Sequence, residues 1–169
     1  MKKDLAIIFG LFLIIVVLLV FGRGLTTTSL LNPKTNSQSI TQSKKGIVVV
    51  IIKTLNVDAE VADTAAKRKK GLSKRDSLPL NQGMLFVFEQ SGMYGFWMKD
   101  MKFPIDIIWL DENKRIVDIV QNVPVEPGKK DSQLTIYKPD GDAKYVLEIN
   151  AGLSQLNALQ KGDQANFEL

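Results

Sequence analysis

GMLFVFEQSGMYGFWMKDMKFPIDIIWLD, residues 83–111, decides the fold. It sets aromatic, methionine and β-branched side chains around isolated charges, a pattern suited to buried strands rather than to an amphipathic helix. Three strands are predicted within it, at 84–89, 94–99 and 105–110, with Gln90-Ser91-Gly92 turning the first into the second. Pro104 stands at the entry to the third, where a missing N–H is tolerated.

Working outward, IVVVIIKTL (47–55) reads as one continuous buried strand, and 57–62 alternates with Val57, Ala59 and Val61 on one face. Asp63 or Thr64 can cap a short helix over 65–70, and Gly71 stops it. Downstream, strands are predicted at 115–121, 134–137, 144–149 and 164–169, the last with Ala165, Phe167 and Leu169 inward. Pro139-Asp140-Gly141 is a turn signal. A second helix is predicted over 153–161, with Leu153, Leu156 and Leu159 as its apolar stripe. About nine short strands, two small helices and no long crossover helix argue a mainly β fold, a compact β-sandwich or jelly-roll-like barrel.

The N-terminal residues differ in kind. Residues 5–21 (LAIIFGLFLIIVVLLVF) form a run of 17 without a charge. As a helix it would span roughly 26 Å, near the lower limit for crossing a bilayer. Lys2 and Lys3 precede it, no small-x-small cleavage pattern follows, and the absence of cysteine excludes a lipoprotein anchor. The expectation is a signal anchor and transmembrane helix over 1–22, a flexible polar linker over 23–46, and an extracytoplasmic domain over 47–169 on a single-pass membrane protein.

Charge divides at the same place. Residues 1–46 hold six Lys or Arg and one acid, whereas 47–169 hold 16 basic and 17 acidic residues. The folded part therefore lacks the basic excess that a nucleic-acid-binding domain needs, and no nucleic-acid partner is expected. The basic linker fits acidic headgroups or wall polymers better.

Gly71-Leu72, Arg75, Leu78, 83–88 (GMLFVF), 96–99 (FWMK), 104–108 (PIDII), Val146-Leu147-Glu148 and Gly162-Asp163 occur in this order. Together they resemble the domain of unknown function 192 family, uncharacterised proteins of bacteria and archaea. The resemblance covers about 57–169 and implies a compact, often exported β domain, with no reaction attached. Two departures stand out: Ser73 where the family often has Met, and Asp100-Met101 where it usually has Asn-Thr.

The chemistry available is limited. With neither histidine nor cysteine, histidine-dependent triads, thiolate chemistry and ordinary zinc sites are excluded. No cofactor and no metal are expected; a copper reading of the methionines and a calcium reading of Asp140-Gly141-Asp142 are both weaker than core filling and an ordinary turn. Asp106 shares a strand face with Ile108 and Leu110, so it is either a structural acceptor or a functional carboxylate. Glu148 faces away from Tyr145, Leu147 and Ile149, and reads as a solvated or ion-paired acid or as a second functional carboxylate. Arg75 could serve either acid as a bidentate cation. In 94–99, alternation sends Phe96 and Met98 inward and Trp97 and Lys99 outward, where a Trp beside a Lys can stack on a sugar ring. The candidate binding residues are thus Arg75, Trp97, Lys99, Asp106 and Glu148. They point first to a binding module for a cell-envelope component, glycan being the candidate. The alternatives are a hydrolase using Asp106 and Glu148, and an accessory protein for an envelope partner.

Overall fold

The computed structural model describes residues 46–169. Seven strands form a single mixed sheet: β1 (Ile47–Ile52), β2 (Leu55–Ala62), β3 (Gln82–Gly92), β4 (Ile105–Leu110), β5 (Ile116–Val123), β6 (Ala143–Asn150) and β7 (Ala165–Asn166). Their order is β5-β4-β6-β3-β2-β1-β7. Two short helices accompany them, α1 (Ala65–Lys70) and α2 (Leu153–Leu156). The anchor and linker expectations for 1–45 lie outside the described residues; among the described ones, no helix is long and apolar enough to cross a membrane.

The mainly β expectation holds, but the architecture is one curled sheet, a half-barrel, rather than a two-sheet sandwich or jelly roll. The C-terminal segment bridges its two ends. Ala165 and Asn166 pair with Ile52 and Ile51 of β1. On the other side, Gly162 N–H donates to Ile116 O (2.8 Å) and Ala165 N–H to Lys114 O (2.9 Å). The sheet also contains one parallel pair, β2 with β3, which the sequence did not suggest. The connection runs through α1 and the loop 71–81. Thr64 caps α1 by accepting from Lys67 N–H, and Gly71 follows it at φ 51°, as the sequence indicates.

The structure departs from the predicted strands and turn at three places. Residues 47–55 are not one strand: Lys53 takes φ 52° and the chain turns into β2, a turn tied down by Lys53 Nζ on Ala158 O and Thr54 Oγ1 on Asn157 Oδ1. Gln90-Ser91-Gly92 is not a turn, because β3 continues to Gly92 with a register shift after Val87. Residues 94–99 and 134–137 meet only through a single bridge, Phe96 with Tyr137. Helix α2 stops at Leu156, which is 80% exposed, because the chain bends through Ala158 at φ 49°. Ala165 and Phe167 are inward as expected, but Leu169 is exposed.

Both faces of the sheet are covered. One carries Leu85, Leu147 and Ile108 in register, packed with Val57, Ile116, Leu159 and Phe167. The other carries Phe86, Val146 and Trp109, packed under Leu72, Leu78, Met98 and the half-buried Met101 and Phe103. Phe96 meets Phe86 and Trp109 edge-to-face, at centroid distances of 4.8 and 6.1 Å. Strand β4 is buried on both faces, which accounts for its apolar run, broken only by Asp106.

Gly83 marks the tightest approach in the sheet. A Cβ there would lie 2.6 Å from Glu148 O and 2.9 Å from Val57 Cγ1, both parts of the rigid framework. Gly83→Ala is therefore expected to destabilise the domain by about 1–3 kcal/mol, as overpacking does. A urea midpoint equal to that of the unmodified chain would contradict this.

Candidate functional site

Asp106 and Glu148 face opposite sides of the sheet. Asp106 is paired in register with Ile149, and Ile107 with Glu148, so successive positions of β4 send the two carboxyls apart. They form no acid/base pair, which removes the basis for the hydrolase alternative. Asp106 is fully buried, and its Oδ1 accepts from Asn122 N–H (2.8 Å) and Gly152 N–H (3.0 Å). Its Oδ2 accepts from Ser154 N–H (2.9 Å) and Ser154 Oγ–H (2.6 Å). Every lone-pair direction is used, so Asp106 is the structural acceptor that ties β5 and the start of α2 to β4.

Glu148 is 5% exposed, which rules out a solvated face. It stands in a row across the sheet with Glu60, Met84 and Ile107, since Glu60 pairs with Met84, Met84 with Glu148, and Glu148 with Ile107. Its carboxyl has no hydrogen bond from any described residue. Burial pushes its pKa up to about 8, offset in part by the nearby Arg75 charge. At neutral pH the group is therefore mainly a neutral acid.

Arg75 descends from the loop after α1 onto this row but binds Glu60, through Nη1–Oε1 at 2.6 Å and Nη2–Oε2 at 2.9 Å. This fork holds the Glu60 carboxyl below its ordinary range. Of the two acids that Arg75 could serve, only Glu148 lies within its electrostatic reach, and its fork goes to Glu60 instead. Glu60 was missed because strand alternation made it look like an ordinary solvent-facing acid of β2. Its partner comes from a loop 15 residues away, and no local pattern announces that contact.

Trp97 and Lys99 lie elsewhere in the covering layer. The alternation read for 94–99 survives without a ladder: Tyr94 and Phe96 are half-buried and Met98 is buried, while Gly95 and Trp97 are exposed. Trp97 is 53% exposed, and Met93 (55%) and Ile136 (54%) are also open. The Phe96–Tyr137 bridge brings Gly95 against Ile136: a Cβ on Gly95 would lie 2.7 Å from Ile136 Cγ2. Beside this platform, Lys99, Asp100 and Met101 face Glu126, Lys129 and Asp131 across a cleft of about 100 Å³. Lys99 donates to Asp131, which raises its pKa. Glu126 accepts from Lys129 and from Thr135, and these bonds hold its carboxyl below the usual range. The cleft is polar, and among the described residues no cluster of carboxylates is arranged to hold a metal ion.

The family model DUF192, described as "Uncharacterized ACR", matches residues 48–167. The chain belongs to the DUF192 family. A UPF0127 protein of Thermococcus gammatolerans is 31% identical over 112 residues, covering 65% of this chain and 66% of the relative. The match thus spans just under two thirds of that relative's length. Among solved structures, a protein of unknown function from Novosphingobium aromaticivorans has a TM-score of 0.62 at 30% identity, over 71% of this chain and 83% of that one. A "putative transcription regulator" from Sinorhizobium meliloti has a TM-score of 0.63 at 25% identity, over 72% of this chain and 92% of that one. The DUF192 match spans the Arg75–Glu60 fork, Glu148, Trp97 and the cleft.

Proposed function

We propose that this DUF192 protein is a membrane-anchored, extracytoplasmic binding module for a cell-envelope glycan, with Trp97 and Lys99 as its contact residues. The observation that carries the reading is the half-exposed Trp97, which directly precedes Met98, Lys99 and Asp100 in the lining of a polar cleft. A large aromatic ring left open on a well-packed layer offers a face for the C–H surface of a pyranose ring. Lys99, Asp100, Glu126 and Asp131 supply charged donors and acceptors for hydroxyl groups alongside it. Asp106 is spent on backbone donors and Arg75 on Glu60, so neither belongs to this contact set. Residues 5–21 would anchor the chain, with the linker carrying the domain clear of the bilayer. The net charge of −1 on residues 47–169 favours glycan over nucleic acid.

The test is retention of the full chain, in detergent, on insoluble peptidoglycan. Trp97→Ala is expected to weaken binding about tenfold, equivalent to about 1.4 kcal/mol, with the melting curve unchanged. Equal retention of Trp97→Ala and the unmodified chain would sink the reading. If neither is retained, while Trp97→Ala abolishes crosslinking to a membrane protein, the exposed Met93, Trp97 and Ile136 serve a protein partner instead.

A further inference from the structure

We infer that Glu148 is the trigger of a pH-dependent rearrangement in which Arg75 passes from Glu60 to Glu148 and carries the loop 72–78 with it. The geometry is a single cation over two carboxyls. Glu60 and Glu148 flank Met84 on one face of adjacent strands, and Arg75 lies above the row with its fork on Glu60. Arg75 also feels the charge of Glu148, so the second carboxyl is within its electrostatic reach. A guanidinium forked on one carboxylate cannot present the same two N–H groups to another.

Glu148 is the unsatisfied member. Its carboxyl has no hydrogen-bond partner among the described residues, and the residue is only 5% exposed. The groups that face it are few. Glu60 comes from β2 and Arg75 from the loop, while β3 and β4 present the uncharged Met84 and Ile107. Asp106 on β4 points to the other face, and Lys70 of α1 acts on Glu60. Lys99 and Lys102 of the neighbouring loop are engaged by Asp131 and Asp76 at the surface. An ionised Glu148 would thus have Arg75 as its one nearby cation among the described residues. Burial sets the ionisation near pH 8, inside the range where the protein can be studied folded.

The movement has a route outward. Lys74 N–H, next to Arg75, donates to Asp100 O at 2.9 Å, and Lys102 Nζ pairs with Asp76 at 2.6 Å. Asp100 is a wall of the cleft beside Trp97. Displacing Arg75 therefore strains the Lys74–Asp100 bond and alters the cleft. This last consequence alone rests on the glycan reading.

The experiment follows 13C-detected resonances of Glu148 Cδ, Arg75 Cζ and the Asp100 carbonyl in the full chain in detergent micelles, from pH 6 to 9.5 without glycan. One shared sigmoid is expected for all three in the unmodified protein. Glu148→Gln should abolish it at Arg75 and Asp100. Glu60→Gln, which frees Arg75, should move the Glu148 midpoint lower by about 1–3 pH units. A Glu148 titration with Arg75 and Asp100 silent would overturn the inference, and so would an Arg75 titration that persists in Glu148→Gln. If Glu60→Gln does not fold, the Glu148→Gln comparison decides alone. Because glycan is absent, these outcomes are independent of the peptidoglycan result.

Discussion

Asp106→Asn is expected to destabilise the domain by about 3–5 kcal/mol, as much as Asp106→Ala does. The buried carboxylate receives four donors: three backbone N–H groups and the Ser154 hydroxyl. An amide keeps one acceptor oxygen and turns an NH₂ group toward the other pair of donors. If the oxygen stays on Asn122 and Gly152, the NH₂ faces Ser154 N–H at a separation where only an acceptor fits. Flipping the amide moves the conflict to Asn122 and Gly152. Each orphaned buried donor costs about 1–3 kcal/mol, and turning an NH₂ donor toward a buried N–H adds to that. The Ser154 hydroxyl can turn its proton away, so Ser154→Ala should cost only about 1 kcal/mol. Urea unfolding followed by circular dichroism checks this. An Asp106→Asn midpoint within the spread of conservative surface variants would mean that the four bonds contribute little.

The contrast between Asp106 and Glu148 shows what the sequence could reveal. Both appear in it as acids inside apolar strands, and their side of the sheet follows from period-2 alternation alone. Alternation puts Asp106 with Ile108 and Leu110, and Glu148 away from Leu147, and the structure has both orientations. What alternation cannot supply is the relative phase of two strands distant in sequence. That phase is fixed by register, here Ile107 opposite Glu148, and it separates two acids that the chain text allowed to meet. Partners from loops were equally hidden. Arg75 could be named as a cation in search of an acid, but Glu60 gave no sign of being that acid. The failed strands at 94–99 and 134–137 have the same origin. The side chains of 94–98 alternate as strand residues do, yet the backbone ladder needs a neighbour along its whole length and has one only at Phe96 and Tyr137. Curling, too, depends on remote contacts: residues 162–166 bond to both ends of the sheet, and a list of short strands does not distinguish that closure from a sandwich.

Glu148→Gln is expected to remove the loss of stability between about pH 4.5 and 8, and to leave a protein more stable than the unmodified chain at pH 8 and above. A glutamate in the unfolded chain titrates near 4.5, whereas burial raises Glu148 to about 8 in the folded domain. Between those values the folded state holds a proton that the unfolded state has lost, so stability falls as pH rises. The contribution of the protonated group is fully present below about pH 4.5 and gone once the pH passes about 8. Across that window the difference is on the order of 5 kcal/mol, at 1.36 kcal/mol for each pH unit. Glutamine has the same shape and nearly the same hydrogen-bonding surface as the neutral acid, but cannot ionise. Its curve should therefore lack that decline. The acid limb should remain, because Glu60 is held low by the Arg75 fork and Asp63 by its bond to Lys67. Stability from those groups is present above their ordinary pKa and is lost as pH falls. Urea midpoints from about pH 2.5 to 9 should thus show a maximum near pH 4.5 for the unmodified chain and a rise to a plateau for Glu148→Gln. Two curves that stay parallel through pH 8 would mean that Glu148 is ionised in the fold at neutral pH, with a compensating partner that the Arg75–Glu60 fork does not leave available.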